Sequence, residues 1–200
     1  MKYNLDDFFK KMKNECPKLK SLFDDYRRRL DELKTEQEEP LTDNTEHYMQ
    51  IIHLTKKSYY TITWNIETLK KVAQRNFPEK PNMNFYLPNL SKCVKKSGIE
   101  EKRIPVALNN MEPIIVGYMS GIQDIPFIII DGNHRVISKH SKGQEYFHGY
   151  LLKPEMHVEA MATNLDKLLY KIHHNINKHL AHLRGSKLVE NENDSGILEI

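Results

Sequence analysis

The stretch PFIIIDGNHRVISKH (126–140) places an acid, a glycine, an amide, an imidazole and a guanidinium directly behind an apolar run. Phe127, Ile128, Ile129 and Ile130 read as a buried strand, and Asp131, Gly132, Asn133, His134 and Arg135 follow it without a spacer. A strand that stops at Asp-Gly and gives way to a helix aims the first N–H groups of that helix beyond the strand end. Those groups lack intrahelical partners and carry the positive end of the helix dipole, so the place suits an anion, phosphate above all. Gly132 permits a positive φ or a close backbone approach to a ligand. Arg135 offers a planar fork for two phosphate oxygens, and His134 a donor, a proton carrier or a metal ligand. Asp131 can hold Mg²⁺ or take a proton from a substrate hydroxyl. Gly132, Asn133, His134 and Arg135 thus form the candidate phosphate cradle. A structural alternative stands beside this: Asp-Gly is a common turn, Asp131 can cap the helix, and Arg135 can pair with Asp131 or Glu112 for structure alone.

The elements that must position these residues follow from pattern. Between Leu5 and Leu33 apolar residues recur every three or four positions, and Pro17 splits the stripe into two helices. This charge-laced pair (1–40) reads as a packing or dimerisation element. Residues 41–58 read as a linker and approach segment, because 34–47 have almost no apolar content. YYTITWN (59–65) alternates like a half-buried strand, with Asn65 capping a helix that runs to about Arg75. LSKCVKKSG (90–98) predicts a short helix stopped by Gly98. RIPVALN (103–109), PIIVGYM (113–119) and PFIIID (126–131) predict three strands, with turn residues between them. VISKHSKG (136–143) predicts a helix, EYFHGYLL (145–152) a strand, and 154–186 a helical segment whose long helix is capped by Thr163 or Asn164. Residues 187–200 read as a frayed tail. The expected class is α+β: a small mixed sheet with an added N-terminal helical hairpin and a C-terminal helix.

Composition narrows the functions. Lys and Arg exceed Asp and Glu by 30 to 27, too little to demand a polyanionic partner. No apolar run approaches the roughly 20 residues of a membrane span, and MKYNLDDFFKKMK interrupts any leader with charges, so the chain reads as cytoplasmic. Cys16 and Cys93 form no paired motif and suggest neither a disulfide framework nor a zinc site. His179 and His182 share a helical face without an acidic partner at fitting spacing. Tyr59, Tyr60 and Trp64 could stack on bases beside Lys56 and Lys57, but alternating aromatics in a strand favour a core. GYMSG (117–121) and the following residues suggest a hairpin near the site, without the GxxxxGK[ST] of a phosphate loop.

The order PIIVGY, then FIIIDGNHRVISKHSKG, then a strand resembles the N-terminal domain of the ParB/sulfiredoxin superfamily over roughly residues 59–153. Pro113, Ile114 and Val116 match its P-I-x-V strand, and Asp131, Gly132, His134 and Arg135 match its D/G-x-x-R turn. The resemblance implies a nucleotide triphosphate such as ATP or CTP, with Mg²⁺, and NTP-dependent hydrolysis or phosphoryl transfer using Asp131, His134 and Glu112. Sulfiredoxin chemistry needs a cysteine before the histidine, and Asn133 stands there; an amide cannot act as that nucleophile. Chromosome-partitioning members carry a downstream helix-turn-helix domain, for which the residues after 152 leave little room. The free-serine kinase branch has a D-G-x-x-R turn very close to this one. Alternatives are a non-catalytic DNA-binding or regulatory module of a phage or mobile element and a metal-dependent ParB-like nuclease; as a partner, the N-terminal helices suggest a homodimer.

Overall fold

Asn65 ends one element and starts another. Its Oδ1 accepts the N–H of Thr68 at 2.8 Å, so the strand through Tyr60, Ile62 and Trp64 passes at once into a helix, as the sequence implies. The computed structural model describes residues 2–34, 45–95, 99–121, 125–185 and 196–200. The chain divides into two units, Met1–Trp64 with Met161–Ile200, and Asn65–Ala160. The expected class holds: helices and two small sheets make an α+β protein. Among the described residues, no helix is long and apolar enough to cross a membrane.

In the first unit, β1 (Tyr3–Asn4), β2 (His47–His53) and β3 (Tyr59–Asn65) form a sheet with β3 in the middle. The helices α1 (Asp6–Glu15) and α2 (Lys20–Lys34) are separated by a short 3-10 turn that begins at Pro17. Their apolar stripe, Phe9, Met12, Phe23, Tyr26 and Leu30, is buried in the fold. The segment 41–58, expected as a linker, contains a strand. HYMQIIH buries Gln50 and Ile52 and exposes Met49 and Ile51, an alternation that its polar neighbours obscured.

The long helix α8 (Asn164–Leu183) begins with a complete capping box. Thr163 Oγ1 accepts the Asp166 N–H at 3.1 Å, and Asp166 Oδ2 accepts the Thr163 N–H at 3.2 Å. Asp166, wholly buried, also accepts the Thr63 N–H at 3.1 Å and pairs with Lys2 at 3.1 Å. Burial pushes its carboxyl above the usual range, and the Thr163, Lys2 and Thr63 contacts oppose this. Thr163→Ala is expected to cost about 1 kcal/mol in urea unfolding, since it removes the cap but leaves Lys2 and Asp166 paired.

The second unit carries the site. It contains α3 (Ile66–Asn76), β4 (Met83–Tyr86), α4 (Leu87–Leu90), α5 (Ile104–Leu108), β5 (Ile114–Tyr118), β6 (Phe127–Asp131), α6 (Asn133–Ser141), β7 (Tyr146–Leu152) and α7 (Pro154–His157). The sheet order is β4-β7-β5-β6, with β5 and β7 parallel and the other pairs antiparallel. Phe85, Leu87, Leu90, Ile114, Val116, Ile129, Val136 and Phe147 form its core.

One expected strand is absent. RIPVALN folds instead as a 3-10 turn at Glu101–Arg103 followed by α5. Pro105 sits in the first helical turn, where no N–H is needed, and it could not have donated to a sheet ladder. Ile104, Ala107 and Leu108 are half-buried at helical spacing, while Val106 is 77% exposed. The Lys139 ammonium donates to the carbonyl of Leu108 at 2.8 Å and satisfies a helix-end acceptor. The helix expected at 90–98 is short: α4 passes into a 3-10 turn at Ser91–Cys93, and Gly98 lies outside the described residues.

Candidate functional site

β6 delivers Asp131 to the sheet edge, and Gly132 turns the chain with φ 101° and ψ 18°. A Cβ at Gly132 would lie 2.5 Å from Ile114 Cγ2 and 3.0 Å from Arg135 Nε, so the turn requires glycine twice over, for its dihedral and for its space. α6 starts on this residue with no side-chain cap and no acid in its first turn. Its first intrahelical bond is from Val136 N–H to Gly132 O at 3.0 Å. The amides of the first turn are therefore set at a strand end in the way the sequence implies.

Around this turn the charges are already paired. Arg135 is 5% exposed. Its Nη1 donates to the Glu112 carbonyl and to Glu112 Oε2, both at 3.2 Å. Its Nη2 lies 2.9 Å from Asp131 Oδ2, but off the line that a hydrogen bond needs, so the buried Oδ2 has charge contact without an aligned donor. Lys70, on α3, completes the group: its Nζ is 3.6 Å from Glu112 Oε2 and 4.0 Å from Asp131 Oδ2. Two cations and two carboxylates thus alternate, with Lys70 and Glu112 on the exposed side, their side chains 44% and 62% accessible.

The remaining motif side chains turn elsewhere. Asn133 Nδ2 donates back to the Ile129 carbonyl at 3.1 Å. His134 Nε2 accepts the Glu100 N–H at 3.0 Å, which places the ring proton of the neutral form on Nδ1. Burial, and next the charge of Arg103, lower the His134 pKa from its ordinary 6.5, while Glu100 acts the other way. A histidine depressed in the fold stabilises it fully above pH 6.5, and that contribution is lost as pH falls below 6.5 through the folded value. The expected result is that His134→Asn flattens the decline of melting temperature between pH 7.5 and pH 5, because Asn titrates nowhere in that window.

The structure therefore brings together Asp131, Gly132, Arg135 and Glu112, and leaves Asn133 and His134 bonded to neighbouring backbone. Lys70 is the residue that sequence reasoning missed. Its only sequence signal is its place on the helix that Asn65 caps, next to the buried Leu69. One turn along α6, Lys139 is buried 4.5 Å above the Phe147 ring, and desolvation and then the Arg135 charge lower its pKa.

A Mg²⁺ held by the protein does not fit these residues. Asp131, the proposed ligand, already faces Arg135 and Lys70, whose charges oppose a third cation. Among the described residues, no three His, Cys, Asp or Glu side chains cluster as a metal site. His179 lies close enough to His182 for that charge to help lower its pKa, after burial. Tyr60 and Trp64 are buried in the core and offer no stacking surface. An open depression lined by Asp24, Arg27, Arg28, Asp31 and Glu32 lies on α2 and contains none of the motif residues. Residues 122–124, in the loop between β5 and β6, lie outside the described residues.

Compared with protein-family models, curated proteins and solved structures, the chain matches none.

Proposed function

We propose that the chain binds a phosphate-bearing ligand, a nucleotide, at the turn from β6 through Gly132 into α6. The observation that carries this reading is an uncapped helix start, free of acids, on a glycine of positive φ, with Arg135 behind it and Lys70 beside it. In this reading the N–H groups of Asn133, His134 and Arg135 meet the phosphate, and Lys70 neutralises it from the solvent side. Arg135 acts from its buried position and gains a phosphate oxygen when the exposed Glu112 carboxylate swings away. Gly132 keeps the approach open. The resemblance of Pro113, Ile114, Val116 and the DGNHR turn to the ParB/sulfiredoxin superfamily points the same way.

Binding comes before turnover in this account. The basic nitrogen of His134 is occupied by the Glu100 N–H, and Asp131 is held by two cations. Hydrolysis or phosphoryl transfer from ATP or CTP therefore enters through Glu112, the exposed carboxylate, as the candidate base. Mg²⁺ accompanies the nucleotide on its own phosphates rather than on Asp131.

The test is a thermal-shift series with ATP, ADP, CTP and GTP, each with Mg²⁺, on the wild type and on Lys70→Ala. A ligand at a hundred times its dissociation constant stabilises the native state by about 2.7 kcal/mol. The expected outcome is that one nucleotide raises the wild-type melting temperature and raises that of Lys70→Ala much less, with the unliganded proteins alike. If no nucleotide shifts the wild type, the reading fails. A DNA affinity that falls with salt and persists without nucleotide would support the DNA-binding module instead.

A further inference from the structure

The segment Gly196–Ile200, GILEI, is held against α8 through its backbone, where the sequence predicts a frayed tail; residues 187–195 of that tail lie outside the described residues. Asn175 is 1% exposed and spends both halves of its carboxamide on one residue. Its Nδ2 donates to the Leu198 carbonyl at 2.8 Å, and its Oδ1 accepts the Leu198 N–H at 2.8 Å. This double exchange is what two opposed residues make in an antiparallel ladder. His174 Nε2 donates to the Gly196 carbonyl at 2.7 Å, and Arg29 Nη1, from α2, donates to the Ile200 main-chain oxygen at 2.9 Å. Leu198 and Ile200 are half-buried while Ile197 and Glu199 are exposed, the period-two alternation of an extended chain.

Every hydrogen bond in this set reads backbone and none reads a side chain of the segment, which is how a strand-accepting groove works. Tyr26, on α2, is almost wholly buried in the same unit. A buried amide inside a helix is costly when its donor and acceptor go unmatched, so a departing segment leaves a seat that favours refilling. Twelve residues, 184–195, separate the end of α8 at Leu183 from Gly196 in the sequence. From these contacts we infer that the groove between α2 and α8 docks an extended strand in trans, its occupant being the 196–200 segment of a second copy of this chain. Each copy carries both the seat and the segment known to fit it, so an exchange reproduces the same contacts.

Two full-length variants separate the parts. Asn175→Leu removes the donor and acceptor but keeps the segment; Leu198→Asp keeps the seat but spoils the segment. Sedimentation of their mixture is expected to show a heterodimer that neither variant forms alone, since only the mixture offers one intact seat and one intact segment. Absence of that species, with both variants folded by circular dichroism, overturns the inference. Should Asn175→Leu misfold, a labelled peptide of residues 194–200 replaces it as the donor to Leu198→Asp. Binding lost with a scrambled peptide supports exchange, and no binding, or binding that scrambling leaves intact, overturns it.

Discussion

Gly132→Ala is expected to be among the most damaging single methyl additions in the Asn65–Ala160 unit, lowering stability by about 3 kcal/mol. Holding an L-residue at positive φ costs roughly 1–2 kcal/mol, and overpacking adds about 1–3 kcal/mol. Both apply here: φ is 101°, and the new Cβ would stand 2.5 Å from Ile114 Cγ2. Ile114 cannot retreat easily, because it is fully buried in β5 and paired in register with Gly149 of β7. Urea unfolding measures the loss. A cost below 1 kcal/mol would mean that the turn relaxes, and with it the geometry proposed for the first amides of α6. Gly143, also at positive φ but with nothing within 4 Å of its Cβ, is the control that isolates the dihedral from the clash.

Arg135→Ala is expected to cost about 3 kcal/mol, the low end for breaking a buried ion pair, because Glu112 is largely exposed and needs no replacement partner. The penalty comes mainly from Asp131, whose side chain is 17% accessible and, among the described residues, would keep the more distant Lys70 at 4.0 Å as its charge partner. Arg135→Met combined with Asp131→Asn is expected to recover part of that loss, since neither change then leaves an unpaired charge; the non-additivity in a double-mutant cycle is the measurement. If Arg135→Ala unfolds at the wild-type urea midpoint, the guanidinium is not holding Asp131 in place. This coupling also decides how the proposed ligand site should be probed. Loss of binding in Arg135→Ala mixes chemistry with folding, whereas Lys70 is exposed enough to be removed without disturbing the core.

Much of the site's framework was legible in the sequence, for a physical reason. An apolar β-branched run broken by Asp-Gly has few ways to fold, and β6, Gly132 and α6 follow from it directly. β5 and β7 were readable for the same reason, as was the Asn65 cap. The contacts of the motif side chains were less legible. The pairing of Arg135 with Asp131 and Glu112 was foreseen only as the structural alternative, because sequence spacing cannot tell whether a guanidinium faces a ligand or its own neighbours. His134 accepts an N–H from Glu100, thirty-four positions away, which no local pattern encodes. Lys70 reaches the site through the packing of α3. RIPVALN misled because its β-branched residues outweighed the one informative position, Pro105. The seat for 196–200 was invisible for a related reason: Asn175 looks like an ordinary polar residue until the backbone it matches is brought to it from twenty-three positions away.

In the proposed complex, phosphate meets the first amides of α6. The most direct test of this contact is an amide NMR titration of the ¹⁵N-labelled protein with ATP and with CTP. The Asn133, His134 and Arg135 N–H resonances are expected to move first and furthest, saturating with one nucleotide, and Lys70→Ala is expected to weaken the titration. Movement confined to residues outside 131–135 and Lys70, or no movement at millimolar nucleotide, would contradict it.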